Sequence, residues 1–179
     1  MNLLLHICCA PCSLYSWQAF EEKGHRVYGF FYNPNIHPFR EFKKRKETLR
    51  LLAEQEGKDI IIDNRYLLDD YLRTVVHHEE QRCELCYRMR LEETARKAKE
   101  KGLDGITTTL LISPYQKHEL LREMGERIAA EHGLKFAYED LRPGFRTSMR
   151  LATEKGLYKQ GYCGCIYSEK ERYGSSKSR

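Results

Sequence analysis

Short apolar runs alternate along this chain with longer amphipathic stretches. Leu3–Ile7 reads as a buried strand, and Val27–Tyr32 as a second one ended by the turn residues Asn33-Pro34-Asn35. Lys58–Ile62, Gly105–Leu111 and Lys135–Tyr138 predict three more strands, the fourth rich in Ile and Thr. Helical stretches lie between them. Ser13 is placed to cap a helix running to Lys23, with Gly24 as its stop. Pro38–Glu56 carries Phe42, Leu49 and Leu52 on one face and ends at Gly57. Leu67–Val76 and Glu84–Lys101 follow, the second closed by Gly102. Ser113-Pro114 predicts a cap and first helical position for a helix to His132, and Phe145–Lys155 is a last helix before Gly156. Strands alternating with helices predict an α/β fold, a mostly parallel sheet with helices on both faces. In such sheets ligands bind beyond the carboxyl ends of the strands.

Composition narrows the class. A chain of 179 residues with 41% hydrophobic and 32% charged residues predicts one globular domain, 1–179. No stretch is apolar for long enough to span a membrane, and the N-terminus lacks the basic region of a signal peptide. A cytoplasmic protein is expected. No internal repeat divides the chain, and only Ser175–Arg179 reads as a low-complexity tail. The net charge of +5 is uneven: residues 141–179 hold nine Lys/Arg against three Glu, a net +6, which leaves −1 for the rest. Tyr158, Tyr162, Tyr167 and Tyr173 are interleaved with that charge, as phosphate contact and base stacking would require; a solvated basic tail has the same composition. The run Lys43-Lys44-Arg45-Lys46 reads as a solvated helix face, and His37 and His77-His78 as surface histidines.

The cysteines change the picture most. All seven fall in three knots: Cys8, Cys9 and Cys12 directly after the first strand, Cys83-Glu84-Leu85-Cys86, and Cys163-Gly164-Cys165. In a reducing compartment, grouped thiols point to a metal or to redox chemistry rather than to structural disulfides. Cys8, Cys9, Cys83 and Cys86 supply four thiolates from two knots. An iron–sulfur cluster accommodates the adjacent pair more easily than a single zinc ion does. Cys12 is a fifth thiol, either a further ligand or a small buried residue. Glycine between Cys163 and Cys165 lets both sulfurs approach, which suits a strained, reversible dithiol; ligation of the same metal remains the alternative. No glycine-rich phosphate loop and no hydrolase elbow is present.

Five segments in order complete the reading. They are Leu4-Leu5-His6-Ile7-Cys8-Cys9-Ala10-Pro11-Cys12-Ser13, Tyr32-Asn33-Pro34-Asn35-Ile36-His37-Pro38, Cys83-Glu84-Leu85-Cys86-Tyr87, Leu110-Leu111-Ile112-Ser113-Pro114-Tyr115, and Tyr158-Lys159-Gln160-Gly161-Tyr162-Cys163-Gly164-Cys165. Together they resemble the QueH-type epoxyqueuosine reductases over nearly the whole chain. The resemblance implies a Rossmann-like sheet of the adenine-nucleotide-hydrolase type. It also implies reduction of epoxyqueuosine to queuosine at the wobble position of tRNA, the last step of queuosine synthesis, without cobalamin. It places a 4Fe-4S cluster on Cys8, Cys9, Cys83 and Cys86 and a redox-active pair on Cys163 and Cys165. An additional iron, with Cys12 as contributor, is implied beside the cluster, and an unidentified electron donor must supply the enzyme. His6, His37, Tyr115 and Asp140 are candidate proton donors. Arg142, Arg146 and Arg150 are candidate phosphate contacts, with Lys43–Lys46 as a second place for RNA. Two other classes stay open: a non-catalytic zinc-binding RNA module and a thiol–disulfide oxidoreductase.

Overall fold

A computed structural model describes residues 1–174; the low-complexity tail lies outside the described residues. Five parallel strands form one sheet: β1 Asn2–His6, β2 Arg26–Phe31, β3 Ile60–Ile62, β4 Gly105–Thr108 and β5 Lys135–Phe136, in the order β3-β2-β1-β4-β5. Leu3, Leu4 and Leu5 of the central β1 are fully buried, as a strand covered on both faces requires. The helices are α1 Ala10–Glu22, α2 Phe39–Glu56, α3 Leu68–Val75, α4 Arg82–Glu100, α5 His118–Glu131, α6 Phe145–Glu154 and the single turn α7 Ile166–Glu169. α1 packs with α2 and α6, whereas α4 packs with α5 and on β1 and β4. Right-handed crossovers place these two groups on opposite faces. The chain runs outward from β1 through β2 to β3, then returns to β4 on the other side of β1. That reversal leaves a crevice between the carboxyl ends of β1 and β4.

Helix starts differ from the expected ones. α1 begins at Ala10, not after Ser13: Cys9 holds the cap position in extended conformation, Pro11 fills the first turn, and Ser13 donates its hydroxyl back to the Ala10 carbonyl at 2.8 Å. β4 stops at Thr108 because the Thr108 hydroxyl accepts from the Leu110 N–H (3.1 Å), turning the chain into a 3₁₀ segment, Thr109–Ile112. Ser113-Pro114 belongs to a turn, and α5 starts only at His118. Four further short segments were not foreseen: 3₁₀ turns at Glu79–Gln81 and Arg142–Gly144, α7, and a π turn at Lys170–Gly174.

A buried arginine overturns a second expectation, and another lies buried where none was made. Arg45 is 1% exposed although it lies inside the basic run of α2, because it falls on the stripe of Phe42, Leu49 and Leu52. Arg90 of α4 is 3% exposed. His37 is also buried rather than on the surface, packed against the rings of Tyr66 and Tyr71, whereas His77 and His78 are exposed. Among the described residues no helix is long and apolar enough to cross a membrane.

Candidate metal and dithiol site

The crevice at the reversal of the sheet holds the first thiol knot. As β1 ends, the backbone N–H of Cys8 donates to Thr109 Oγ1 at 3.1 Å, and that hydroxyl donates to Cys8 Sγ at 3.3 Å, so the residue after β4 fixes the loop after β1. The Asn33 side chain ties the same loop to the end of β2 by donating to the Ile7 carbonyl at 2.8 Å. Cys8, Cys9 and Cys12, all buried, have sulfurs within 4.8 Å of one another. Extended backbone at Cys9 followed directly by a helical turn is what turns adjacent side chains toward one point.

All three knots reach one cavity of about 560 Å³, lined by Cys8, Cys12, Cys83, Cys86, Cys163 and Cys165. Cys9 stands directly behind, 3.7 Å from Cys8 Sγ. Cys83 and Cys86 come from the first turns of α4. Cys163 and Cys165 come from the irregular stretch after α6, where their sulfurs are 3.9 Å apart as free thiols. Gly164 between them has φ +126°, and a Cβ there would meet Ile36 Cγ1 at 2.9 Å. Only glycine fits that turn. Arg45 clamps it from below, donating to the carbonyls of Cys163 and Tyr162, each at 3.0 Å, while the Gly164 carbonyl accepts from the His37 N–H at 2.8 Å.

Electrostatics separates the thiols. Hydrogen bonds from Cys12 and Cys9 hold Cys8 well below the ordinary thiol range. Burial pushes Cys9 up, and the hydrogen bond to Cys8 pushes Cys12 up. Burial raises Cys86 to about 11 and also raises Cys83. Cys165 is drawn down to about 5 by the hydrogen bond from Cys163, helped by the Ser168 hydroxyl and N–H, while Cys163 is raised as the donor. Arg90 and Arg45 supply the positive charge. Burial opposes each guanidinium, but the thiols Cys86 and Cys8 outweigh it at Arg90, and Cys9 and Glu41 do so at Arg45. Among the described residues Arg90 has no carboxylate partner; it donates to Asn33 Oδ1 at 2.9 Å, His6 Nε2 at 3.2 Å and Cys86 Sγ at 3.8 Å.

The donor set fits a metal centre. Soft thiols converge at Cys8, Cys9 and Cys12, Cys83 and Cys86 face the same cavity without joining that group, and buried cations that suit thiolates stand beside them. The buried Tyr71 hydroxyl has no nitrogen or oxygen partner among the described residues; the groups that act on it are the thiols Cys86 and Cys165, so this polar atom of the cavity wall is turned to the sulfurs.

The four candidate proton donors fare unequally. Burial and then Arg90 depress His6 to about 3, so the ring is neutral, with Nδ1 2.9 Å from Thr108 Oγ1 and Nε2 3.1 Å from the Tyr32 carbonyl. Burial likewise depresses His37. Asp140 is held at about 2 by Arg142 and stays ionised. Tyr115 alone stands at the cavity with its ring open to water. Of the expected phosphate contacts, Arg142 is paired with Asp140 and Arg150 with Glu154, while Arg146 makes no ion pair among the described residues. Tyr158 and Tyr162 turn inward, to Glu41 and to the His37 carbonyl, instead of offering free rings. The functional residues that the sequence concealed are Arg45, Arg90 and Tyr71, each on a helix stripe that faces the thiols.

Comparison with known proteins gives one answer. A family model described as Epoxyqueuosine reductase QueH matches residues 3–171. A protein of that name from Dehalococcoides mccartyi is 42% identical over 177 residues, covering 99% of this chain and 97% of its own. Another, from Thermotoga maritima, is 33% identical over 181 residues, covering 96% and 92%. Among solved structures, a predicted subunit of tRNA methyltransferase from Methanocaldococcus jannaschii superposes with a TM-score of 0.52 at 13% identity, covering 84% of this chain and 76% of that one. That likeness concerns the fold alone, a Rossmann-like parallel sheet covered by helices.

Proposed function

The chain belongs to the epoxyqueuosine reductase QueH family, and on that premise we propose that it reduces epoxyqueuosine to queuosine at the wobble position of tRNA in the cytoplasm. The observation that carries the reading is the convergence of three thiol knots on one cavity at the reversal of the sheet. In the proposed assignment Cys8, Cys9, Cys83 and Cys86 hold a 4Fe-4S cluster, and Cys12 contributes to an additional iron. No cobalamin enters the scheme, and the whole chain, 1–179, acts as one reductase unit fed by an electron donor. The metal centre supplies one-electron transfer and Lewis acidity toward an oxygen.

The chain's own residues do the rest. Opening an epoxide to a double bond takes up two electrons and two protons and releases one water. Oxidation of the Cys163 thiol and the Cys165 thiolate to a disulfide yields two electrons and one proton, and the second proton comes from water, to which Cys165 gave up its own on ionising. Cys165 carries the thiolate and Cys163 keeps its proton, a division set by the hydrogen bond between them. Arg45 holds both carbonyls of the turn so that the sulfurs stay together. Arg90 balances thiolate charge in the dry crevice.

A second reading has its own observation. The mutual 4.8 Å spacing of Cys8, Cys9 and Cys12 suits a single tetrahedral ion with one open position. Anaerobically purified protein distinguishes the two. Brown colour, about four iron and four sulfide per chain, and formation of queuosine in tRNA analysed by mass spectrometry are expected. Colourless protein holding one zinc, inert toward the epoxide, would establish the zinc-binding alternative instead.

A further inference from the structure

Tyr115 is 82% exposed, more than any other exposed large hydrophobic residue described, yet it is not on a free loop. Its turn is fastened at several points. The Tyr115 N–H donates to Ser113 Oγ at 3.3 Å, the Lys117 N–H donates to the Tyr87 hydroxyl at 3.1 Å, and that hydroxyl donates to Gln116 Oε1 at 2.8 Å. Phe145 supports the ring edge-on, with centroids 6.3 Å apart and planes at 87°. Both rings line the cavity that holds the thiols. A rigid aromatic surface left in water at the mouth of a reactive cavity is a surface kept for a ligand. Arg146, next in sequence to Phe145, and Arg172 in the wall of the same cavity are exposed and form no ion pair among the described residues.

We propose that Tyr115, backed by Phe145, is the platform on which a nucleobase swung out of a single-stranded RNA loop stacks while its substituent enters the thiol cavity. This rests on the tRNA reading above and deepens it. A base carries a flat π-face and brings phosphates with it; the open ring and the unpaired arginines match those two features.

The test uses the metal-loaded protein and two unmodified tRNA transcripts, one with guanine at the wobble position and one abasic there. Replacing Tyr115→Ala should weaken binding of the guanine transcript between about five- and a hundred-fold, and Tyr115→Phe should change it less than about two-fold. On the abasic transcript, wild type and Tyr115→Ala should bind alike. Equal losses on both transcripts, or no loss on either, would overturn the platform. So would a change of oligomeric state in Tyr115→Ala with RNA binding untouched, since the ring would then serve a protein contact. Wobble-dependent binding through Tyr115 in a wild type that fails to reduce epoxyqueuosine-tRNA would leave the platform standing and overturn the reduction reading.

Discussion

Cys8–Cys12 and Cys163–Cys165 face the same cavity from different structural backgrounds. The first set belongs to the main core, between β1 and α1, with sulfurs fixed by Thr109 and Gln160 and almost no access to water. The second rides on an irregular turn outside the sheet, with Cys163 exposed and Cys165 packed in a small separate cluster with Tyr71, Val75 and Cys86. Burial on rigid elements holds ligands at fixed spacing, which suits a resident metal. A thiol that must be oxidised and re-reduced needs access and a lowered pKa, and Cys163 and Cys165 divide those two properties between them.

The largest effects should come from the ligand set. Replacing Cys8, Cys9, Cys83 or Cys86 by Ser should lower bound iron and sulfide and abolish epoxide reduction; full metal retention in any one variant removes that residue from the set. Replacing Cys163 or Cys165 by Ser should reduce turnover by at least ~100-fold while metal content stays at the wild-type level. Loss of metal instead would make the two thiol sets one, and the contrast would collapse.

Arg45 sharpens the comparison further because it belongs to both sets. Replacing it by Met leaves the half-buried Glu41 without its cation, with only the Tyr158 hydroxyl, and frees the turn, at a cost of about 3 kcal/mol in stability, read as a lowered denaturant midpoint. A midpoint equal to wild type would mean that the clamp holds nothing. Cys165, depressed to about 5 by Cys163, should react with iodoacetamide in the metal-free protein at a rate that rises through pH 5 and then levels. In Cys163→Ala the rise should move to higher pH, because the proton donor is gone; an unmoved midpoint would assign the depression elsewhere.

The smallest effect concerns RNA. Reversing Arg142, Arg146 and Arg150 to Glu should weaken tRNA binding and flatten its salt dependence by roughly one to two units of slope, with the visible spectrum unchanged. Three units are not expected, since Asp140 and Glu154 already offset two of these charges. Unaltered slope would move the RNA contact to the exposed lysines of the run at Lys43–Lys46.

Much of this contrast was legible in the chain. Apolar runs fixed by burial on both faces gave the strands, and the Cys8 loop followed the first of them into the crevice. Helix starts were less legible, because Cys9 and Pro11 open α1 without a side-chain cap and Ser113 spends its hydroxyl on the Tyr115 turn. The buried arginines were hidden by composition. Arg45 sits in a basic run, and only its i+3 and i−4 relation to Phe42 and Leu49 betrays the inward face. Tyr115 could be named but not placed, since exposure at a cavity mouth comes from long-range packing of β4, α4 and α6.

One measurement addresses the central division of labour. Enzyme reduced anaerobically, freed of reductant and mixed with an equal amount of epoxyqueuosine-tRNA should make up to about one queuosine per chain. Peptide mass spectrometry after alkylation should then show Cys163 and Cys165 joined in a disulfide in the same proportion. Queuosine formed while both thiols remain alkylatable would contradict the account.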